Sequence, residues 1–318
     1  MKKRVLITQH IPETGIRLLE KQFDLVYHDV RQPVQTERLI SSCPDADALL
    51  CLLSDKITSD FISRLPDLKV IANYAVGVNN IDLHAAKNRK ILVCNTPDVL
   101  THATADLALG LLLAVTRQLI PADQFCRRGE FKGWASDLFA GFGLQGKQCG
   151  IIGMGKIGTA FAERVKVLGM KVVYSNRNVS GSADSACTFV SLDELIQTSD
   201  VVSIHAPLTT ETRGIMNLER FLAMKPGSVF LNTGRGELVD EGALVQVLKT
   251  GHLFGAGLDV FEREPEIHQD LLSLNNVVLA PHIGSATIET REKMAIMAAQ
   301  AICDVLNGLT PTNLVLFS

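Results

Sequence analysis

The stretch that decides the fold is Gly-Ile-Ile-Gly-Met-Gly-Lys-Ile-Gly at residues 150–158. It follows an apolar run typical of a buried strand and leads into a helical pattern at 157–168. In the spacing GxGxxG, the first glycine allows a tight turn, the second lets backbone approach a pyrophosphate, and the third lets the helix pack closely on the strand. The helix N-terminus would face the phosphates, with a lysine in its first turn. The predicted dinucleotide-binding residues are Gly153, Met154, Gly155, Lys156, Ile157 and Gly158; a structural turn or a site for another nucleotide-like ligand is the alternative.

The end of the next predicted strand indicates which dinucleotide binds. NAD sites usually place an acidic residue about 20 positions after the glycines, where it accepts from the ribose 2′-hydroxyl. None of residues 164–183 is acidic, and the strand ends in Ser175, Asn176 and Arg177. These side chains suit a 2′-phosphate through charge-assisted hydrogen bonds, so NADP(H) is the predicted cofactor. In the alternative, Arg177 is a solvated surface charge and Asn176 serves NAD(H).

Short apolar runs alternate with helical patterns along the whole chain, and this alternation predicts parallel strands joined by helical crossovers. Two series are joined by one long predicted helix at 101–128, with Thr101 and Thr104 as candidate caps. A tail helix at 287–306 is expected to return to the first series. The sequence thus predicts an α/β fold of two doubly wound parallel-sheet domains with a cleft for a small ligand between them. The predicted strands are 5–8, 24–28, 48–53, 70–74 and 91–94 in the first series, and 149–153, 171–175, 201–205, 229–232, 257–261 and 277–280 in the second.

Composition excludes several classes of function. A hydrophobic share of 47% with 20% charged residues is typical of a globular protein. A net charge of −3 argues against nucleic acid or an anionic membrane as the main partner. No apolar run is long enough to span a membrane, and the N-terminus lacks a secretory apolar segment. The seven cysteines form no CxxC pair, so we expect reduced, buried thiols in a cytoplasmic protein and no metal site.

Nicotinamide chemistry needs a group that donates or removes a proton while hydride moves. His282 follows a predicted strand, where the carboxyl ends of parallel strands face the ligand. His205 also ends a strand and is the rival candidate. Arg235 and Glu264 follow two further strands. A carboxylate in contact with imidazole favours the protonated ring, and a guanidinium fork matches a substrate carboxylate and its adjacent carbonyl.

These residues lie in motifs that resemble the D-isomer-specific 2-hydroxyacid dehydrogenase family and, within it, the glyoxylate/hydroxypyruvate reductases. The motifs occur in the order of that family and span nearly the full chain. Besides the glycine loop, they are NYAVGVNNID at 73–82, TPDVLT at 96–101, HAPL at 205–208, NTGRG at 232–236, GLDVFE at 257–262 and PHIGS at 281–285.

The resemblance implies a role for each matching residue. Arg235 would bind the 2-oxo acid and polarise its carbonyl, His282 would be the acid in reduction and the base in oxidation, and Glu264 would favour the protonated imidazole. The N–H groups of Val76 and Gly77 would bind the substrate carboxylate. The other implied site positions are Leu53 in the substrate pocket, Thr104, Thr233, Gly234 and Asp259 near the nicotinamide, and His205, Pro207 and Thr212 along the cofactor.

The resemblance also implies a fold, an activity and a partner. Residues 1–99 and 285–318 would form a flavodoxin-like substrate domain, and residues 100–284 a Rossmann-type dinucleotide-binding domain. The implied reaction is reduction of glyoxylate or hydroxypyruvate to glycolate or D-glycerate in a homodimer. The alternatives are the same chemistry on 2-ketogluconate, pyruvate/D-lactate or 3-phosphoglycerate, or a dinucleotide-sensing binding protein like the family's corepressors. The sequence leaves open which 2-oxo acid is reduced, how strictly NADPH is preferred and in which direction the reaction runs.

Overall fold

The computed structural model describes residues 2–177 and 187–316, and the chain divides into two compact units. The first comprises Met1–Leu100 and Ser285–Ser318, and the second comprises Thr101–Gly284. Each unit contains one parallel β-sheet, so the predicted fold class of two doubly wound parallel sheets is confirmed.

The first unit contains a five-stranded sheet whose strand order is the flavodoxin-like order 2-1-3-4-5. The third and fourth strands are buried at every position, which explains their apolar sequence up to Asn73 at the end of the fourth. The elements are β1 (Arg4–Ile7), α1 (Glu13–Glu20), β2 (Asp24–Tyr27), α2 (Thr36–Ser42), β3 (Ala48–Cys51), α3 (Ser59–Ser63), β4 (Val70–Asn73), α4 (Leu83–Asn88) and β5 (Leu92–Cys94).

The second unit contains a seven-stranded parallel sheet. Its elements are α5 (Thr101–Thr116), α6 (Leu119–Arg127), β6 (Gln148–Ile152), α7 (Lys156–Val167), β7 (Lys171–Ser175), β8 (Cys187–Phe189), α8 (Leu192–Thr198), β9 (Val201–Ile204), α9 (Leu218–Ala223), β10 (Val229–Asn232), α10 (Glu241–Lys249), β11 (Gly255–Leu258), α11 (Gln269–Ser273) and β12 (Val277–Leu279). The strand order is β12-β11-β10-β9-β6-β7-β8. The order therefore reverses between β6 and β9, and ligands of such sheets bind at the carboxyl ends of the strands at this point.

The last helix, α12 (Ile288–Leu306), belongs to the first unit and packs against α1, β3 and β4. Thr287 caps it by accepting a hydrogen bond from Thr290 N. The approach to α1 is close, because a Cβ atom on Gly15 would lie 2.9 Å from the carbonyl oxygen of Ala295. A glycine at this position of α1 therefore allows the two helices to touch.

The prediction of one long helix at 101–128 is wrong, because α5 and α6 meet at an angle of 64°. Gln118, between them, has a left-handed backbone with φ of +50°. The carbonyl oxygen of Thr116 accepts from Phe142 N at 3.1 Å, so a later segment takes the hydrogen bond that would continue the helix. Pro121, in the first turn of α6, has no N–H to donate to a preceding turn.

Four smaller expectations are also wrong. Thr104 does not cap α5, since it lies within that helix. The strand β8 has no counterpart among the predicted strands, and β11 begins two residues before the predicted start at Gly257. Cys126 is exposed on α6, although every cysteine in the described residues is free of disulfides.

Within the described ranges, no single helix is long and apolar enough to cross a membrane, and only the bent pair α5–α6 passes that test together.

Candidate active site

The glycine loop follows β6 at the point where the strand order reverses. Gly153 has φ of +97°, and a Cβ atom there would lie 2.6 Å from the backbone nitrogen of Ala206 after β9. A Cβ atom on Gly158 would lie 2.2 Å from the carbonyl oxygen of Gly153. The first and third glycines are therefore required by the turn and by the packing of α7 on the strand.

The second glycine of the loop faces open space. Nothing lies within 4 Å of a Cβ atom built on Gly155, which precedes α7 and provides no side-chain cap for it. The first turn of α7, with Lys156 and Ile157, therefore presents backbone N–H groups beside free volume. This cradle fits the pyrophosphate of a dinucleotide.

The end of β7 is hydrogen-bonded to the glycine loop. Gly153 N donates to Ser175 O at 3.0 Å, and Met154 N donates to Asn176 Oδ1 at 2.6 Å. The Asn176 oxygen is thus turned towards the glycine loop, and the amide nitrogen is the other end of the side chain. Arg177 follows with an exposed side chain. Residues 178–186, which come next in the chain, lie outside the described residues.

His205, the rival proton donor, sits in a different environment from His282. Its Nε2 lies 2.8 Å from Ser203 Oγ and its Nδ1 lies 3.3 Å from Thr233 Oγ1. Burial lowers the pKa of His205 to about 4. His205 is therefore neutral at physiological pH, which suits a structural or cofactor contact and not an acid catalyst.

The next loop is held by its own hydroxyl groups. Thr212 Oγ1 donates to Pro207 O at 2.7 Å and accepts from Thr209 N at 2.8 Å. These bonds fix the loop that follows β9, and the glycine loop approaches Ala206 in the same loop. Pro207 and Thr212 are thus placed by the fold beside the candidate cofactor cradle.

His282 and Glu264 form a direct pair. Nδ1 of His282 lies 2.8 Å from Oε2 of Glu264, whose Oε1 accepts from Phe261 N at 3.1 Å. Burial alone raises the pKa of Glu264, but the contact with His282, the Phe261 N–H and the charge of Arg235 outweigh it, so the pKa lies below its ordinary value. Within the described ranges, Nε2 of His282 has no hydrogen-bond partner, which leaves this nitrogen for a substrate.

Arg235 lies close enough to Glu264 for their charges to interact. Its NH1 donates to Gly234 O at 2.7 Å. Burial lowers the pKa of Arg235 and the attraction of Glu264 opposes that shift, but the guanidinium stays charged at any physiological pH. The three catalytic candidates therefore combine a cation, an anion and a titratable ring.

The backbone that carries His282 is held by Asp259. His282 has φ of +54°, a left-handed conformation that residues other than glycine rarely adopt. The Asp259 carboxylate accepts from Ile283 N at 2.7 Å and Gly284 N at 2.8 Å, and Asp259 O accepts from His282 N at 2.8 Å. Thr104 Oγ1 donates to Gly284 O at 3.1 Å. Asp259 is buried, and its burial raises its pKa.

The candidate substrate residues of the first unit lie in two loops at the carboxyl ends of its strands. Leu53 follows β3, and Val76 and Gly77 follow β4. Asn80 joins the two loops, because its Nδ2 donates to Leu52 O at 3.0 Å while its Oδ1 accepts from Asn73 Nδ2 at 3.0 Å.

Sequence analysis missed several supporting residues. Glu241, at the start of α10, accepts from Glu262 N at 2.8 Å and so anchors the loop that carries Glu264. Gly236 touches the same loop, because a Cβ atom there would lie 1.9 Å from the carbonyl carbon of Phe261. Gly236 is part of a quoted motif, but no local signal distinguishes Glu241 from a surface glutamate at a helix start.

Among residues 2–177 and 187–316, no group of three or more His, Cys, Asp or Glu side chains is arranged to hold a metal ion.

Comparison with known proteins identifies the class to which this fold and site belong. The family model described as D-isomer specific 2-hydroxyacid dehydrogenase, NAD binding domain, matches residues 109–284. Glyoxylate reductase from Thermococcus litoralis is 45% identical over 322 residues, which cover 99% of this chain and 97% of that relative. The fold and site are those of an oxidoreductase that binds a nicotinamide dinucleotide.

Solved structures are similar to the chain over nearly its whole length. The TT0316 protein from Thermus thermophilus superposes with a TM-score of 0.93 at 44% identity, covering 98% of this chain and 100% of that one. The NADPH-dependent glyoxylate/hydroxypyruvate reductase SmGhrB from Sinorhizobium meliloti, in complex with NADP and malonate, superposes with a TM-score of 0.90 at 31% identity, covering 99% and 97%. The chain belongs to the D-isomer-specific 2-hydroxyacid dehydrogenase family.

Proposed function

We propose that the protein is an NADPH-preferring reductase that converts glyoxylate or hydroxypyruvate to glycolate or D-glycerate. The observation that carries this proposal is the contact of His282 with Glu264, beside the charge of Arg235. The names of the relatives from Thermococcus litoralis and Sinorhizobium meliloti support the choice of substrate.

The dinucleotide would be held by the residues of the second unit that border the open cradle. The N–H groups at the start of α7 and Lys156 would bind its phosphates. The other residues proposed to contact it are Gly153, Met154, Gly155, Ile157, Gly158, His205, Pro207, Thr212, Thr104, Thr233, Gly234 and Asp259. When bound, the reduced cofactor supplies the hydride for the carbonyl carbon of the substrate.

The substrate would be bound by backbone and side-chain donors. We assign the N–H groups of Val76 and Gly77, together with the Arg235 guanidinium, to the substrate carboxylate, and Leu53 to the pocket wall. Arg235 also polarises the carbonyl group, because its fork can donate to two oxygens at once. Removing either anchor should weaken substrate binding and leave the dinucleotide in place.

The proton would come from Nε2 of His282. Glu264 accepts a hydrogen bond from the Nδ1–H and stabilises the cationic ring before transfer, and the carbonyl oxygen takes the Nε2 proton to become the hydroxyl. General acid catalysis of this kind contributes about 10²–10⁴-fold to the rate. In the oxidative direction, the neutral ring removes the same proton from the 2-hydroxy acid.

The preference for NADPH is supported by the end of β7. A carboxylate at position 176 would suit a 2′-hydroxyl, but the Asn176 oxygen already accepts from Met154 N, so this side chain offers N–H donors. A phosphate only accepts hydrogen bonds. It therefore matches the donors of Asn176 and Ser175 and the positive charge of Arg177. NAD(H) would be the weaker cofactor.

A second copy of the chain is the proposed protein partner. Helix α6 has no buried residue, and Leu119, Ile120, Phe131 and Trp134, on α6 and in the segment after it, are exposed, Trp134 to 84%. A helix and a set of large apolar side chains left uncovered in this way are typical of an interface. We therefore propose a homodimer formed through this surface, here called the α6 surface. The free thiols fit the reducing cytoplasm as the compartment.

The experiment that tests the proposed reaction is a steady-state panel. Purified protein is mixed with NADPH or NADH and with glyoxylate, hydroxypyruvate, pyruvate, 2-ketogluconate or 3-phosphohydroxypyruvate. The highest kcat/KM is expected for glyoxylate or hydroxypyruvate with NADPH. A higher value for another acid would overturn the substrate assignment. Tight binding of NADPH with no turnover of any 2-oxo acid would instead show a dinucleotide-sensing protein.

A further inference from the structure

Two asparagine side chains hold consecutive peptide groups of the proposed carboxylate loop. Asn95 Nδ2 donates to Val76 O at 2.7 Å, and Asn73 Nδ2 donates to Gly77 O at 2.8 Å. The C=O and N–H of a trans peptide point in opposite directions. Each bond therefore turns the following N–H, that of Gly77 and that of Val78, away from the asparagine that holds the peptide.

The peptide group between Ala75 and Val76 is fixed by a backbone hydrogen bond, because Thr96 N donates to Ala75 O at 2.9 Å. The N–H groups of Val76, Gly77 and Val78 have no acceptor among the described residues. Backbone donors in proteins are nearly always paired with protein, water or ligand. Three successive donors with fixed orientations are thus available to an oxyanion.

The two asparagines are themselves held in place. Asn73 is fully buried, and its Oδ1 accepts from Asn80 Nδ2 at 3.2 Å and from Cys51 Sγ at 3.4 Å, which fixes the direction of its amide. Asn95 is held through its main chain, since Asn95 N donates to Asn313 O at 3.2 Å and Asn95 O accepts from Asn313 Nδ2 at 2.6 Å. Its side chain is thus free to be changed without removing the contacts that hold its backbone.

We propose that Asn73 and Asn95 are positioning residues that set the preference of the enzyme for an anionic 2-oxo acid over a neutral carbonyl compound, by fixing the N–H groups that receive the carboxylate. Neither side chain touches the substrate. The inference rests on the proposed function, because it concerns the substrate of that same reaction.

The decisive variants change Asn95. Asn95→Ala removes the donor to Val76 O, and Asn95→Asp replaces it with an acceptor that repels that oxygen. For Asn95→Ala, the KM for glyoxylate should rise about fivefold to tenfold, which corresponds to the loss of roughly one hydrogen bond. Asn95→Asp should raise it further. The dissociation constant of NADPH, measured by fluorescence, should stay within twofold of wild type in both, because the dinucleotide binds the second unit.

A neutral substrate separates positioning from general damage. We expect the kcat/KM ratio of glyoxylate to glyoxylamide to fall in both Asn95 variants, with little change in kcat/KM for glyoxylamide. Asn79→Ala is the matched control, since Asn79 is an exposed asparagine in the same loop and no hydrogen bond of its side chain occurs among the described residues. It should leave the ratio unchanged.

Each result decides one question. If Asn95→Ala keeps the wild-type KM for glyoxylate, or loses kcat/KM equally for glyoxylate and glyoxylamide, the positioning role is refuted. If wild-type protein reduces no 2-oxo acid, the proposed function fails instead. Asn73→Asp, which keeps the size of the side chain, should reproduce the selective loss; a folded Asn73→Asp variant with an unchanged ratio would remove Asn73 from the inference.

Discussion

His282 meets Glu264 through one nitrogen only, with Nδ1 2.8 Å from Oε2. The other carboxylate oxygen accepts from Phe261 N, so Glu264 is held from both sides. The contact fixes the ring so that Nε2 faces away from the carboxylate. A single hydrogen bond thus determines which nitrogen can exchange a proton with a substrate.

Replacing Glu264 with Gln should remove the negative charge that stabilises the protonated ring. We expect kcat to fall about 10- to 100-fold at neutral pH. Initial rates with saturating NADPH and hydroxypyruvate measure this change. An unchanged kcat would show that Glu264 does not act on His282.

The same variant changes how stability depends on pH. The pKa of Glu264 in the folded protein lies below its ordinary value. Glu264 therefore contributes fully to the free energy of unfolding above the pKa that it has in the unfolded chain, and this contribution is lost as the pH falls through the pKa that it has in the folded protein. Between these values the free energy of unfolding of the wild-type protein should fall more steeply with decreasing pH than that of Glu264→Gln. Urea unfolding at several acidic pH values provides the comparison.

Arg177 is expected to select the cofactor. In Arg177→Ala, kcat/KM for NADPH should fall about 10- to 100-fold, the value of a charge-assisted hydrogen bond, while kcat/KM for NADH stays within twofold. Arg17→Ala is a control, because Arg17 is an exposed arginine of the first unit paired with Glu13. Equal losses with both cofactors would contradict the assignment of the 2′-phosphate to Arg177.

The three glycines of the cofactor loop should respond differently to the same substitution. Gly155→Ala adds a methyl group in open space, so the melting temperature should hold while NADPH binding weakens tenfold or more. Gly158→Ala would place its methyl group against Gly153 O and should lower stability as well. Gly110→Ala, on exposed helix surface, is the control and should stabilise by about 0.5–1 kcal/mol. Calorimetry and fluorescence titration distinguish these results; unaltered binding in Gly155→Ala would argue against a phosphate cradle.

Sequence pattern predicts most of this fold because both sheets are parallel and their central strands are buried. The bounds of strands such as β3 and β9, which are buried at every position, fall within two residues of those predicted. The break between α5 and α6 has a distant cause, since Phe142 N takes the carbonyl of Thr116, and a local one, Pro121, which the prediction of one long helix did not take into account. The strand β8 has only three residues, none of them fully buried, so it carries little apolar signal.

The residues of the candidate site likewise divide into those that the sequence predicts and those that only the structure reveals. Glycine spacing locates the cofactor loop, and strand ends locate His282 and Arg235. Strand ends alone leave both His282 and His205 as candidates; the resemblance favours His282, and in the structure the surroundings of the two rings differ. The support of Glu264 by Glu241 is invisible to pattern because it joins a helix start to a loop about 20 residues later through one backbone bond.

The α6 surface should mediate dimerisation. Ile120→Glu puts a charge among its apolar side chains, so the variant should elute as a monomer in size-exclusion chromatography with light scattering, whereas the wild-type protein is expected to elute as a dimer. Leu309→Glu is the control, because Leu309 is an exposed apolar residue of the first unit. A variant that remains dimeric would exclude this surface as the interface.

The most direct test of the account is the rate of NADPH oxidation by His282→Gln with glyoxylate or hydroxypyruvate, measured beside the affinity for NADPH. We predict that kcat falls about 10²–10⁴-fold while the dissociation constant of NADPH stays within twofold of wild type. His205→Asn should retain far more of the kcat. If His282→Gln turned over like wild type and His205→Asn were inactive, the proton donor, and with it the proposed mechanism, would be wrong.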